Sequence, residues 1–499
     1  MQMSSTSNSK QAMWVAIGQF CAYAIGFVSP MILSRYFDKG DYGTYKQVMY
    51  VYSTLTTVFT FGLPKAYSYF IPRVSLGESK DVIKKITNLF IALGIFFSLL
   101  LFFGAPIISQ VLKNPDLENA LKYFAPTPLF LLPVLGLDSI MASYKKTQFL
   151  AIYSIMTKVF TLVCIVLPVM LLKGTYIHAI IGFDIASFIT FLLALYLRNI
   201  PTRGIKIEKT TVTIKEVLMF SIPLMIASLW IMIFHSANQF FVSRYYGNEV
   251  FADFSNGFID FPVIPMVVNS VATVLMPVFS GMANNNDEGI KTVWINAMEK
   301  SVKIIYPIAV FSIVFASLIM TCFYGNRYET SGSYFIVKSM ESFFTIIPFY
   351  PILLAFGKTK QYSNIHLVMA IAIIPLEYFV VLLGWPALMI GVIYVLCSLG
   401  KVILQFIVVS KSTHMAFKEL IPLRTMFRIF YVSLISSILP FVVTRQFAGV
   451  NKFALLIMAV FLFVTCFILV CKILKISYKE IFKSYFSKGP LKRIMLIIP

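Results

Sequence analysis

The chain is 499 residues long, 59% of its residues are hydrophobic and 13% are charged, and its mean hydropathy is +0.83. Ordinary soluble cores cannot bury this much apolar surface, so the composition excludes a water-soluble globular protein and predicts a polytopic membrane protein. The formal net charge is +21. We attribute this excess to a positive inner face held against anionic lipid, so nucleic-acid binding need not be invoked.

Apolar segments of about 20 residues, the length that crosses a hydrocarbon layer of about 30 Å, recur along the whole chain. Continuous apolar runs, without short alternating segments, favour helices over a barrel. We therefore predict an all-α fold with about fourteen transmembrane helices. The predicted spans, in chain order, are 13–36, 43–72, 86–109, 121–142, 149–172, 176–197, 215–243, 253–281, 298–323, 334–356, 363–384, 386–409, 426–444 and 452–474.

Basic residues are distributed unequally over the predicted loops. The loops that lead from an odd-numbered span to an even-numbered one, taken as external, carry about ten Lys and Arg, Lys338 included. The opposite side of the membrane carries about 28. This bias places both termini in the cytoplasm. No cleavage site follows the first apolar run, so Met13 onward is expected to remain as an anchor. The six cysteines are scattered without CxxC spacing, which is typical of small core residues.

A short motif recurs at corresponding places in the two halves of the chain. Ser34-Arg35-Tyr36 follows predicted span 1, and Ser243-Arg244-Tyr245 follows predicted span 7. Either this is an internal repeat of two six-helix bundles, or arginine and tyrosine recur at membrane interfaces because their side chains snorkel. The predicted domains are a cytoplasmic N-terminus 1–12, an N-lobe 13–197, a basic linker 198–214, a C-lobe 215–409, helices 13 and 14 within 410–474, and a basic cytoplasmic tail 475–499.

The motif LSRYFDKGDYGTY, together with FGLPKAYSYFIPR from Phe61 to Arg73, resembles the polysaccharide transporter or O-antigen flippase (Wzx-type) family. That family belongs to the multidrug, oligosaccharidyl-lipid and polysaccharide exporter superfamily. The resemblance implies two six-helix lobes in a V (MATE-like) with two further helices. It also implies a bacterial cytoplasmic (inner) membrane flippase for polyprenyl-diphosphate-linked oligosaccharides, used to build surface polysaccharide such as O-antigen or capsule.

The same resemblance implies which partners, cofactors and coupling ions to expect. The partners are the lipid-linked oligosaccharide, membrane lipids, and a polysaccharide polymerase with a chain-length regulator. No cofactor is expected, and H⁺ or Na⁺ coupling stays open. At the first corner, Gly40 and Gly43 are expected to allow a tight turn. Tyr36, Tyr42 and Tyr45 are expected at the lipid headgroups.

Predicted span 2 has one polar face. At 100° per residue this face carries Lys46, Tyr50, Ser53, Thr57 and Thr60. Such a face lines a hydrated cavity or packs against another helix through its small hydroxyl residues. Lys46 lies near the rim of the membrane, where it could equally snorkel.

Four lysines inside predicted spans form the expected cationic substrate cavity: Lys46, Lys65, Lys158 and Lys401. Lys65 follows a proline and could either snorkel toward the cytoplasmic side or meet a diphosphate as a point charge. Lys158 and Asp184 have matching depths, so they form either a structural ion pair or a pair that an anionic substrate opens. Lys401 has no acid at a matching depth in the sequence, which favours a cavity.

In the second half, Asp260 is predicted on the face of span 8 that also carries Asp253 and Asn256. It could close an external gate with Lys46, or bind the coupling proton or sodium ion. We expect His235, Asn238 and Gln239 on span 7 to line the cavity as polar neighbours.

Two other function classes compete with a flippase. A membrane glycan polymerase or ligase would need catalytic groups on a sizeable external loop, whereas the predicted external loops are short and no catalytic motif is present. A drug exporter would favour acidic cavities for lipophilic cations, whereas lysines prevail here. A lipid II flippase would present the same chemistry as an oligosaccharide flippase. The sequence therefore predicts a transporter.

Overall fold

The computed structural model describes residues 8–282, 287–413, 415–447 and 449–479. The described residues form helices joined by turns, and no β-strand occurs among them. The predicted N-terminal segment up to residue 7 and the predicted tail from residue 480 lie outside this range. The chain divides into two compact units, of which unit 1 ends at Ala252 and unit 2 begins at Asp253. The predicted lobe boundaries stay a prediction.

Unit 1 contains ten complete helices, and an eleventh crosses into unit 2. They are α1 Asn8–Tyr36, α2 Lys39–Phe59, α3 Leu63–Phe70, α4 Leu76–Leu112, α5 Asp116–Phe124, α6 Thr127–Leu131, α7 Leu137–Ser143, α8 Gln148–Leu171, α9 Tyr176–Asn199, α10 Ile214–Tyr245 and α11 Gly247–Gly257.

Unit 2 continues with nine helices in its described part. They are α12 Val263–Met282, α13 Asp287–Val314, α14 Ala316–Tyr324, α15 Ser331–Glu341, α16 Tyr350–Ala355, α17 Thr359–Leu382, α18 Leu388–Thr413, α19 Leu423–Gln446 and α20 Lys452–Ile473.

The membrane class predicted from composition is confirmed. Within the described ranges, ten candidate spans are long and apolar enough to cross a membrane, and the bent pair of α13 and α14 would make eleven. The predicted count of fourteen is not confirmed.

Five predicted spans are broken, and one of them is the ninth, 298–323, which divides into α13 and α14. The second, 43–72, divides into α2 and α3, and the fourth, 121–142, divides into α5, α6 and α7. The eighth, 253–281, divides into α11 and α12, and the tenth, 334–356, into α15 and α16. Spans two and four of the first six match spans eight and ten of the next six, so four of the five interruptions recur at corresponding positions, while the third span, the counterpart of the ninth, is unbroken. Matching interruptions in two halves are typical of transporters built from repeats.

Backbone chemistry accounts for the breaks in the second and fourth spans. Gly62, between α2 and α3, has φ +67°, which a residue with a side chain rarely adopts. Pro64 is the second residue of α3, in the first turn, where its missing N–H removes no helix bond. Pro126, just before α6, and Pro133, just after it, interrupt the fourth span, because proline lacks the N–H that continues a helix. Hydropathy does not report backbone direction, so the sequence analysis treated each segment as continuous.

The predicted basic linker lies along the start of α4. Lys80 Nζ donates to the carbonyl oxygen of Ile205 at 2.8 Å, and Lys85 Nζ donates to that of Val212 at 3.0 Å. The Thr210 amide donates to Asp81 at 3.1 Å. Lysines that were predicted only to mark the cytoplasmic side therefore also hold the linker against α4.

Each unit packs around its own core. In unit 1, α8 and α9 meet at Gly182, where a Cβ would lie 2.1 Å from the Cys164 carbonyl oxygen, so glycine is required for this close approach. In unit 2, the fully buried Trp294 donates its indole N–H to the Leu420 carbonyl oxygen at 3.0 Å. All six cysteines are free, and three of them are buried, which agrees with their predicted role in the cores.

Candidate functional site

Unit 2 contains a group of four charged residues and one serine, centred on the buried Lys338 and Glu341 and here called the ion cluster: Asp260, Lys338, Glu341, Ser398 and Lys401. Lys338 Nζ forms ion pairs with Glu341 and with Asp260, the latter at 3.3 Å. Ser398 donates a hydrogen bond to the other carboxylate oxygen of Glu341. Lys401 lies within electrostatic range of all three charged side chains.

Aromatic rings enclose the lysine at the centre of this cluster. Lys338 Nζ lies 5.0 Å from the centroid of the Tyr394 ring and 5.5 Å from that of Phe258. Both rings are within the distance at which a cation is attracted to an aromatic face. The rings and Glu341 therefore hold the ammonium group in place inside the unit.

The two carboxylates around Lys338 differ in exposure. The side chain of Glu341 is 6% exposed, whereas that of Asp260 is 45% exposed. A buried charge needs a permanent partner, because an unpaired one is strongly destabilising. Glu341 is such a partner, whereas the carboxylate of Asp260 is accessible from outside the protein. The arrangement is suited to binding an anionic group at Lys338.

The sequence analysis identified only part of this cluster. Asp260 and Lys401 were predicted site residues, but Lys338 was counted as a loop residue and Glu341 was not considered. The structure places both on α15, and Lys338 is 8% exposed. The signal was present, because two charges three residues apart interrupt the apolar run YFIVKSMESFF. No acid was expected at the depth of Lys401, whereas Glu341 of α15, which was not considered, interacts with it electrostatically.

Helix α17 carries two more buried titratable side chains that were not predicted as site residues. Glu377 is fully buried and His366 is 5% exposed. Neither carboxylate oxygen of Glu377 and neither ring nitrogen of His366 has a hydrogen-bond partner among the described residues. No group of three or more His, Cys, Asp or Glu in the described part of the chain could hold a metal ion.

Unit 1 has a polar centre of a different kind, here called the corner cluster: Thr44, Gln47, Asn114, Ser243 and Asn248. Asn114 Nδ2 donates to Thr44 at 2.9 Å and to Gln47 at 2.5 Å. Gln47 Nε2 donates to Ser243 Oγ at 2.8 Å. Residues of the first motif corner thus contact the second copy of the motif, and no member of the cluster is charged.

Two of the three expected tyrosines and both glycines of this corner have other roles, whereas Tyr36 is 42% exposed. Tyr42 and Tyr45 are 0% and 6% exposed, so their placement at the headgroups was wrong. Gly40 and Gly43 lie within α2, not in a turn. Gly43 instead allows close packing, because a Cβ there would lie 2.0 Å from the Asn248 carbonyl oxygen. Asp38 makes the turn by accepting a hydrogen bond from the Asp41 amide at 2.8 Å.

The polar face predicted on span 2 extends along α2 to Thr60. Ser53, Thr57 and Thr60 donate their hydroxyl hydrogens to carbonyl oxygens of the same segment, at 3.0, 3.4 and 2.9 Å. The Tyr50 hydroxyl donates to the Ser236 carbonyl oxygen of α10 at 3.4 Å. Lys46 Nζ lies 5.5 Å from the centroid of the Tyr42 ring. On this face, Ser53, Thr57 and Thr60 therefore bond within their own segment, whereas Tyr50 bonds to a second helix.

The other predicted charges of unit 1 are not brought together. Lys65 and Lys158 are exposed. The predicted ion pair between Lys158 and Asp184 is absent, because Asp184 accepts a hydrogen bond from Thr127 of α6 instead. Equal depth along two helices did not bring the side chains together, since Asp184 contacts α6 and the Lys158 side chain lies beside Gly26 of α1.

The predicted polar neighbours on α10 differ in burial. His235 is exposed and its ring is 5.3 Å from that of Phe234. Asn238 is 2% exposed and accepts a hydrogen bond from the Gln239 amide at 2.6 Å. The predicted gate between Asp260 and Lys46 would join the two units and stays a prediction.

Solved structures with a similar fold are transporters. The lipid II flippase MurJ in an inward closed conformation aligns with a TM-score of 0.67 at 14% identity, covering 94% of this chain and 100% of that one. An inward-facing multidrug resistance MATE family transporter of the MOP superfamily aligns with a TM-score of 0.64 at 11% identity, over 79% and 96%. A MOP superfamily transporter from Pyrococcus furiosus has a TM-score of 0.58 at 12% identity, over 81% and 95%.

These likenesses confirm the MATE-like fold expected from the resemblance. A search of curated proteins returned no match. A family model described as polysaccharide biosynthesis protein matches residues 9–283, which is more than half of the chain. The chain therefore belongs to the polysaccharide biosynthesis protein family.

Proposed function

We propose that this protein is a flippase that moves polyprenyl-diphosphate-linked oligosaccharides across the bacterial cytoplasmic membrane by alternating access, to build surface polysaccharide such as O-antigen or capsule. The family supports a role in polysaccharide biosynthesis, and the fold supports transport over catalysis. The observation that carries the proposal is the pairing of Lys338 with one buried and one half-exposed carboxylate.

The proposed mechanism is an exchange of anions at Lys338. A diphosphate displaces Asp260 from the lysine, while Glu341 keeps the ammonium group paired throughout. Lys401 adds positive potential beside the same position. When the diphosphate leaves, Asp260 returns to Lys338 and the site is reset without an unpaired buried charge.

Other parts of the prediction complete this proposal. Lys46, Lys65 and Lys158 are candidate contacts for the anionic headgroup along unit 1. Both termini lie in the cytoplasm, and a polymerase and a chain-length regulator receive the product. Coupling to H⁺ or Na⁺ stays open, with Asp260 and Asp184 as the predicted groups.

A lipid II flippase is a second candidate. It is favoured by the alignment with the lipid II flippase MurJ, which covers the whole of that chain. Both substrates carry a diphosphate on a polyprenyl chain, so the exchange at Lys338 serves either one. The two candidates differ in the glycan, which the ion cluster does not distinguish.

Transport in proteoliposomes tests the proposal. Fluorescent polyprenyl-diphosphate oligosaccharide, lipid II and a lipophilic cation are supplied in parallel, with and without a proton or sodium gradient. We expect translocation of the oligosaccharide by the wild type and loss of it in Asp260→Asn. Glu249→Gln is the matched control, because Glu249 is an exposed acid on the preceding helix. Transport of the cation alone would contradict the proposal.

A further inference from the structure

A cavity of ≈ 490 Å³ lies in unit 2 beside the sharpest bend of the described helices. Helix α13 ends at Val314 and α14 begins at Ala316, with an angle of 76° between them. The bend opens a space that the ends of α19 and α20 close from the other side. Its polar lining consists mainly of Ser317, Thr321, Glu329, Thr444, Arg445 and Lys452. The volume is in the range of about 300–1,000 Å³ that small-molecule sites occupy.

The lining of this cavity carries more positive than negative charge. Arg445, at the end of α19, and Lys452, at the start of α20, form no ion pair with any described carboxylate. The guanidinium of Arg445 lies 4.5 Å from the centroid of the Phe441 ring. Glu329 is engaged, because it accepts a hydrogen bond from Ser317 at 3.1 Å. Two cations without an acidic partner face a single oriented carboxylate.

The cavity is bordered by apolar surface that faces away from the protein. Phe447 and Phe453, which flank the turn between α19 and α20, are 50% and 41% exposed. An 18-residue stretch of α20 has a mean hydropathy of 3.1, and 17% of this stretch is buried inside the protein. Such a helix is suited to contact with lipid. Charged groups beside an apolar, lipid-facing helix match the two parts of a phospholipid.

We propose that this cavity binds a phospholipid headgroup: Arg445 and Lys452 hold the phosphodiester, and Glu329 accepts a hydrogen bond from a hydroxyl or ammonium group of the same headgroup. The acyl chains lie along the exposed apolar faces of α19 and α20. Arginine and lysine are the usual partners of phosphate oxygens, while a carboxylate requires a donor. The inference concerns a different part of unit 2 from the ion cluster and does not depend on the proposed transport activity.

The test is lipid retention by the purified full-length protein, measured by native mass spectrometry in detergent. The probes are phosphatidylglycerol and phosphatidylethanolamine, whose headgroups have donors, and phosphatidylcholine, whose headgroup has none. We expect the first two to bind in preference to the third. The double variant Arg445→Gln/Lys452→Gln should lose about tenfold in affinity for both, because charge-assisted hydrogen bonds are removed. Glu329→Gln should reduce the preference over phosphatidylcholine.

The matched control is Lys360→Gln/Lys411→Gln, which removes the same charge from exposed positions of unit 2. It should bind the lipids as the wild type does. An equal loss in the control, or equal retention of all three lipids by the wild type, would overturn the proposal. Glycerol phosphate that displaces the lipid at equal concentration would overturn the lipid assignment in favour of a soluble phosphate ligand.

Discussion

The ion cluster of unit 2 and the corner cluster of unit 1 differ in the kind of polar side chain that they contain. Each buries polar side chains within a largely apolar helical unit. The corner cluster uses neutral amides and hydroxyls, with Gln47 fully buried and bonded on both sides. The ion cluster uses full charges, and its Asp260 is half-exposed. Neutral groups with fixed partners are suited to holding helices together, whereas a charge with an exchangeable partner is suited to binding.

The largest expected effect is loss of the central charge. Lys338→Met leaves Glu341 buried without its ion-pair partner, so the free energy of unfolding should fall by about 3–5 kcal/mol. Chemical denaturation in detergent measures this. Replacing Glu341 by methionine as well should restore most of the stability. Lys360→Met, at an exposed position, is the control. A stable single variant would show that Glu341 does not depend on Lys338.

The corner cluster should be sensitive to shape more than to charge. Gly43→Ala places a methyl group against the Asn248 carbonyl oxygen, so the free energy of unfolding should fall by about 1–3 kcal/mol. Gly40→Ala, in the same helix, meets its nearest atom at 3.4 Å and should be neutral or stabilising. Equal effects of the two variants would contradict the close packing of the two motif corners.

A smaller change in stability is expected at the exposed member of the ion cluster. Asp260→Asn should change the free energy of unfolding by less than about 1 kcal/mol, because a half-exposed ion pair contributes little. Its effect should appear in transport instead. A large loss of stability would show that Asp260 is as structural as Glu341.

The smallest expected effect is at the exposed Glu419, which lies between α18 and α19 and pairs with Lys291 near the start of α13. The hydrogen bond from Lys291 at 2.7 Å lowers the pKa of Glu419 below its ordinary value. The pair therefore stabilises the fold above the ordinary glutamate pKa, and this contribution is lost as the pH falls through the lowered one. Lys291→Gln should raise the pKa of Glu419, as measured by NMR titration of labelled glutamate. An unchanged pKa would contradict the contact.

Much of the fold followed from composition and pattern, because hydropathy reports which segments prefer lipid. The all-helical class and the family were predicted from those segments and from the corner motif. The breaks were not, because they depend on local backbone geometry such as the positive φ of Gly62. The stretch 342–349, which interrupts predicted span 10, is mostly apolar and gave no hydropathy signal.

The sequence predicted only part of the candidate site, because it shows which charges lie within apolar segments but not how the helices pack. Asp260 and Lys401 stood out as charges within apolar segments, and both lie in the ion cluster. Lys338 was assigned to a loop because it lies near the start of a predicted span. Its burial follows from α15 packing against α18, which places it beside Tyr394. Depth along a helix can be read from sequence, but the side that a residue presents to its neighbours depends on packing.

Substrate binding to Asp260→Asn tests the exchange at Lys338 most directly. The dissociation constant of a polyprenyl-diphosphate oligosaccharide is measured for wild type and variant in detergent, with Glu249→Gln as the control. If the diphosphate displaces Asp260, removing this competitor should tighten binding about fivefold, while translocation falls because the site is not reset. Unchanged or weaker binding in Asp260→Asn would contradict the exchange.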